Sequence, residues 1–146
     1  MLAAMIPIGQ ALESTGITAL IATEVVSLAG DLHIFWLLMI ILIITMLITD
    51  VINNAATAVI MAPFSVNIAL QLGQPLEPFL MVVAVGASCA FLTPIGHQCN
   101  TLVMGPGNYK FSDYWRLGLP LDILIVLASI PTVSYTHLRA HETYTY

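Results

Sequence analysis

Two polar runs, each set inside apolar sequence, hold the residue types that could do chemistry. Residues 49–57 read TDVINNAAT and place Asn53 and Asn54 side by side. Each amide offers donors and a carbonyl acceptor. At the tip of a helical hairpin, free backbone N–H groups and the start of the next helix favour an anion. Asn oxygens and upstream carbonyls can hold a hard cation such as sodium. The plainer alternative is an ordinary turn between two helices, capped by Asn. Residues 93–101 read TPIGHQCNT and carry Thr93, Pro94, Gly96, His97, Gln98 and Asn100. Pro lacks the backbone donor and Gly weakens a helix, so this run reads as an unwound break. Its alternative is a Pro/Gly kink in a packed helix. Asp50 has two readings: a proton or cation site, or more simply a cap on the helix after Asn53 or the wall of a watery vestibule.

Other reactive residues form no set. Cys89 and Cys99 lie in apolar sequence without CxxC spacing and read as small packing residues. The chain contains neither HExxH nor a Ser/His/Asp spacing of hydrolytic type, so no enzyme is expected. No resident cofactor is expected either.

Composition says which solvent surrounds these runs. Of the 146 residues, 59% are hydrophobic and 8% charged, and the mean hydropathy is +0.96. Soluble domains carry about 25% charged residues. Three basic and eight acidic side chains, net charge −5, cannot cover a water-soluble body of this size and offer no basic footprint for nucleic acid. The expected solvent is the lipid bilayer.

The apolar segments are short. Residues 1–8 read as the end of a spanning helix. Residues 10–30 suit an interfacial helix, with Glu13 and Glu24 eleven apart on nearly one face. Residues 34–49 hold sixteen positions without a charge, about 24 Å of helix against a hydrocarbon core of roughly 30 Å. Helices are expected over 34–52, 55–72, 79–92, 101–104 and 117–130, with a turn at 73–78 and a polar loop at 108–116. Short or interrupted apolar segments point to a transporter's midplane site, because unpaired backbone survives at membrane depth only beside protein or water. Lys110 and Arg116 assign their loop to the cytoplasm, which leaves 73–78 outside.

At Val133 the composition changes. Residues 133–143, VSYTHLRAHET, look like one reading frame of a sequencing adapter, so 133–146 is expected to form no domain. His137 and His141, four apart in this tail, are therefore declined as metal ligands.

Residues 52–63 (INNAATAVIMAP), Gly73 and Pro75, residues 87–103 (ASCAFLTPIGHQCNTLV) and residues 105–120 (GPGNYKFSDYWRLGLP) together resemble the C-terminal repeat of the divalent-anion:sodium symporter family. The resemblance covers residues 1–132. It implies an all-α membrane protein: one inverted repeat of a larger transporter, with a re-entrant helical hairpin and a broken transmembrane helix. It further implies a sodium site from Thr49, the Ile52 carbonyl, Asn54 and the Gly96 carbonyl, and substrate contacts from Asn53, Asn54, His97 and Gln98. A homodimer of the full-length transporter in the plasma membrane is expected. The family's Ser-Asn-Thr tip triplet is Asn53-Asn54-Ala55 here, and His97-Gln98 replace the usual Thr-Pro of the carboxylate transporters. Such Asn-Asn-Ala variants resemble a sulfate-permease-like subgroup. The function implied is secondary transport of a small divalent anion, sulfate or a di- or tricarboxylate, with sodium as coupling ion. A proton-coupled or arsenite-type transporter and a non-transporting scaffold subunit are the alternatives.

Overall fold

The computed structural model describes residues 14–29 and 33–133, together with Pro7, Ala11 and Tyr135. The expected spanning segment at 1–8, Glu13, and nearly all of the 133–146 tail lie outside the described residues. Among those described, all regular structure is helical: α1 (Ile17–Ala29), α2 (Ile34–Thr49), α3 (Asn54–Leu72), α4 (Leu76–Ala87), α5 (Gln98–Met104) and α6 (Phe111–Val133). Two of them, α3 and α6, are long and apolar enough to cross a membrane.

Local chemistry sets each boundary. Gly16, at φ +71°, ends the turn that precedes α1. At the start of α2, His33 Nδ1 accepts from Phe35 N at 3.3 Å. A left-handed Gly73 (φ 62°) closes α3, and Gln74 N donates to Ala69 O at 2.9 Å, so the last turn's carbonyls are satisfied. Pro63 interrupts the ladder inside α3, and Asn67 Nδ2 donates to its carbonyl at 2.9 Å.

Several expected boundaries need correction. The first arm ends at Thr49, not 52, and the second begins at Asn54. The helix expected over 79–92 runs from Leu76 to Ala87. Its start tolerates Pro78 because a first-turn proline sacrifices no intrahelical bond. After Ala87 the chain makes two last turn bonds to the helix, Ser88 N to Val85 O and Cys89 N to Gly86 O, before Leu92 N and Thr93 Oγ1 bond to Asp50. The continuation expected at 101 starts at Gln98. The loop expected over 108–116 is half helical: Lys110 N donates to Asp113 Oδ2 at 2.8 Å, the reach-back of a capping box, and α6 starts at Phe111. That helix also carries Val133, the first residue of the expected tail, which is buried.

The core lies around α4, which packs on both α2 and α3 more extensively than those two pack on each other. Leu38, Ile41 and Leu42 from α2, Ile68 from α3, Phe79 and Val82 from α4 and Ile130 from α6 are fully buried there. Gly86 makes the α2–α4 approach possible: a Cβ on it would lie 2.9 Å from Thr45 Cβ and 3.2 Å from a Leu42 methyl. Small residues at such a crossing matter most in lipid, where close packing rather than water exclusion drives association. Polar contacts tie α1 to α3, with Gln71 Nε2 on Thr23 Oγ1 at 3.2 Å. The outward face of α2, including Trp36, Ile40, Ile43 and Leu47, and that of α6, including Leu117, Leu124 and Leu127, remain exposed. Apolar faces of this extent do not persist against water.

Candidate functional site

The site forms where the α2–α3 turn meets the non-helical residues 88–97. Thr49, the last residue of α2, is fully buried, and its hydroxyl is shared between Asn54 Oδ1 (3.1 Å) and the Ala87 carbonyl at the end of α4 (3.0 Å). One side chain thus links α2 and α3 to α4. Asn53 is the N-cap of α3, its Oδ1 accepting from Ala56 N at 2.8 Å. Its Nδ2 and that of Asn54 donate to no atom among the described residues. Ile52 lies in the tip between them, with its N–H returned to Ile48 O at 2.9 Å.

The break is fastened to this tip by backbone and hydroxyl contacts. Thr93 Oγ1 donates to the Asp50 carbonyl at 2.5 Å and accepts from Ile95 N (3.3 Å) and Gly96 N (3.2 Å). Gly96 sits against the tip so closely that a Cβ would stand 2.7 Å from Thr49 O and 3.0 Å from Asp50 Cα. Only glycine fits there. Asn100 Nδ2 donates to Ala90 O (2.9 Å) and Thr93 O (3.4 Å), and Thr101 Oγ1 to Pro94 O (2.5 Å). Side chains of Thr93, Asn100 and Thr101 thus satisfy part of the backbone in and beside this non-helical stretch. His97 is the N-cap of α5, its Nδ1 accepting from Cys99 N at 3.2 Å. Gln98, the first residue of α5, is exposed.

Thr49, Asn54 and Gly96 are thus brought together, and Ile52 lies in the same turn. Thr93, Pro94 and Gly96 lie in the non-helical residues 88–97, and Asn100 lies in the first turn of α5. The described hydrogen bonds join neither His97 nor Gln98 to the Asn pair.

Asp50 corrects one reading. It does not cap α3, because Asn53 does. Its carboxylate reaches across the break instead, Oδ1 accepting from Leu92 N at 3.0 Å. Sequence reasoning also missed Thr101, and Tyr114, whose hydroxyl donates to Asn100 O at 2.7 Å. It missed Gly118 too, whose missing Cβ leaves room for the Phe91 carbonyl. Each contact joins residues from different segments, and no local pattern announces them. The one available signal was glycine in an otherwise apolar helix.

The tip residues Asn53 and Asn54 are half-buried beside the buried Thr49 and meet a non-helical stretch inside an apolar helical bundle. The chain belongs to the citrate transporter family, whose sequence profile matches residues 1–142. It is 40% identical over 129 residues to an uncharacterized transporter of Synechocystis sp., covering 88% of this chain and 21% of that protein. It is 40% identical over 126 residues to the uncharacterized transporter YfbS of Escherichia coli, covering 86% and 21%. Sodium/sulfate cotransporter 2 of Chlamydomonas reinhardtii is 29% identical over 129 residues, 88% of this chain and 15% of that protein. These relatives agree with the resemblance to the divalent-anion:sodium symporters. The family is one of membrane transporters, not of enzymes. The chain spans about a fifth of the length of the first two relatives, 21% of each.

Proposed function

We propose that this chain supplies one inverted repeat of a sodium-coupled secondary transporter that moves a small divalent anion, sulfate or a di- or tricarboxylate, by alternating access. The observation that carries the reading is the junction of Thr49, Asn54 and Gly96. It brings a hairpin tip and a helix break to one place, with amide donors left over. In this reading α2 and α3 are the arms of a re-entrant hairpin, and α4 and α5 the halves of one broken helix.

Sodium is held by Thr49 Oγ1, the Ile52 carbonyl, Asn54 Oδ1 and the Gly96 carbonyl. The Thr49–Asn54 bond supports this set, because two of its oxygens already lie within 3.1 Å of each other. The anion is met by the amide hydrogens of Asn53 and Asn54, with His97 and Gln98 beside Gly96 on the other wall. The oxygens of both Asn side chains are occupied, so their free ends are donors, which is the polarity an anion needs. Tip and break move as a block against the rest of a full-length homodimer in the plasma membrane. The relative named as a sodium/sulfate cotransporter supports sulfate as the first anion to try.

The hairpin direction has its own test. Lys110 and Arg116 flank the start of α6, whereas Glu77 is the one charged side chain between residues 73 and 78. By the positive-inside rule the first region faces the cytoplasm and the second the exterior. Gln74→Cys, in a full-length protein freed of other cysteines, should be labelled in intact cells by an impermeant thiol reagent. Ser112→Cys should be labelled only after permeabilisation. The reverse pattern overturns the hairpin direction.

A further inference from the structure

Helix α5 has His97 at its cap and Gln98 as its first residue, yet its packing does not fix where it stands. None of its seven residues is buried. The side chains of Asn100 and Thr101 bond back to Ala90, Thr93 and Pro94, all in the preceding non-helical stretch. Among the described hydrogen bonds, one side chain of another helix reaches α5: the Tyr114 hydroxyl of α6 donates to Asn100 O at 2.7 Å. One turn further along α6, Gly118 is buried. A Cβ on it would collide with the Phe91 carbonyl and stand 3.0 Å from Leu92 N. Residues four apart share a helix face. One face of α6 therefore meets the chain on both sides of residues 93–96, at Phe91 before them and at Asn100 after them.

From Tyr114 a run of bonds leads to the tip. Asn100 Nδ2 donates to Thr93 O at 3.4 Å, and Thr93 Oγ1 to Asp50 O at 2.5 Å. A cavity of about 220 Å³ opens beside this seam, lined by residues that include Phe91, Asn100, Tyr114 and Gly118. Close packing does not fill the seam, so directional bonds are left to locate α5. The Tyr114 ring is steadied edge-on by Tyr109, with 6.2 Å between ring centres. We infer that Tyr114 is a positioning residue of the transport site: its hydroxyl, acting through Asn100, sets α5, and with it His97 and Gln98, against the Asn53–Asn54 tip. It bonds no residue of the tip itself. The inference rests on the reading of tip and break as an anion site.

The test is Tyr114→Phe in the full-length transporter, which keeps the ring and its contact with Tyr109 and removes only the hydroxyl. Backbone hydrogen exchange of the purified protein should quicken over residues 92–104 and stay unchanged over α3. Uptake of labelled sulfate into proteoliposomes, or of succinate or citrate if sulfate is not carried, should need an anion concentration roughly three- to ten-fold higher for half-saturation, the scale of one hydrogen bond. The maximal rate per inserted protein should stay within about two-fold, because a shifted wall weakens binding without removing a ligand group. Asn100→Ala should also raise the half-saturating concentration. Adding Tyr114→Phe to it should raise it little further, since both changes break one chain. Tyr109→Phe should match the parent. Absence of either shift in Tyr114→Phe overturns the inference, as does a full second effect on top of Asn100→Ala. A Tyr114→Phe protein that no longer elutes as the parent does overturns it too, because the hydroxyl would then hold the fold and not the site. A parent that moves none of the three anions takes the proposed function down and this inference with it. An active parent matched by Tyr114→Phe loses the positioning role alone.

Discussion

Asn54→Ala is expected to abolish anion uptake by the full-length transporter while leaving the protein in the membrane. The Asn54 oxygen takes the Thr49 hydroxyl at 3.1 Å, and its amide hydrogens remain free. One side chain therefore offers an oxygen to a cation and donors to an anion, which makes it the point where the two ligands couple. Alanine keeps neither. The fold should tolerate the change, because Ala is the best helix former and Asn54 is the first residue of α3, already capped by Asn53. Thr49 also keeps its second bond, to the Ala87 carbonyl. Initial uptake rate, normalised to protein in the membrane, is the measurement. Cys89→Ala and Cys99→Ala are the comparisons: neither side chain contributes to the tip, and both variants should keep most of the rate. An Asn54→Ala protein that transports as the parent does would mean that the tip is only a turn.

Gly96→Ala should be nearly as damaging, for a steric reason. Its new Cβ would lie 2.7 Å from the Thr49 carbonyl oxygen, 2.9 Å from Ala90 Cβ and 3.0 Å from Asp50 Cα. Two of these are backbone atoms, so no side chain can swing aside. The break must draw back from the tip and carry the Gly96 carbonyl away from Thr49 and Asn54. Displacements of about 1 Å in a positioned site cost up to roughly a hundred-fold, and a loss of ten- to a hundred-fold in uptake rate is expected on that scale. The half-saturating sodium concentration should rise as well. Gly105→Ala provides the control, since a Cβ there meets nothing within 4 Å. Equal rates for Gly96→Ala and Gly105→Ala would separate the break from the site.

The local parts of this arrangement were legible in the sequence. Asn53-Asn54 between two apolar arms marked the tip, and Thr-Pro-x-Gly marked the break, because proline and glycine act on their own backbone and need no distant partner. The all-helical class followed from apolar segments bounded by polar runs. What the sequence hid is long-range. Asp50 was read as a proton or cation site or, more simply, as a local cap or vestibule wall; the cap is Asn53, and the Asp50 carboxylate accepts from Leu92 N, forty-two positions away. The Thr49 hydroxyl finds Ala87, thirty-eight positions on. The end of α4 was hidden likewise: beyond Ala87 the chain leaves the helix within two residues, and Leu92 and Thr93 bond to Asp50. The start of α6 was obscured differently. Asp113 looked like part of a polar loop, and its reach back to Lys110 is a capping device whose polar residues belong to the helix.

The central claim is that tip and break together bind an anion with sodium. Its most direct test is initial uptake of labelled sulfate into proteoliposomes of the full-length transporter, driven by an inward sodium gradient and compared with equimolar choline. Succinate and citrate are run as competitors. The account predicts uptake that requires sodium, is competed by at least one divalent anion, and vanishes in Asn54→Ala. Sulfate uptake of equal rate in choline, or undiminished in Asn54→Ala, would contradict it.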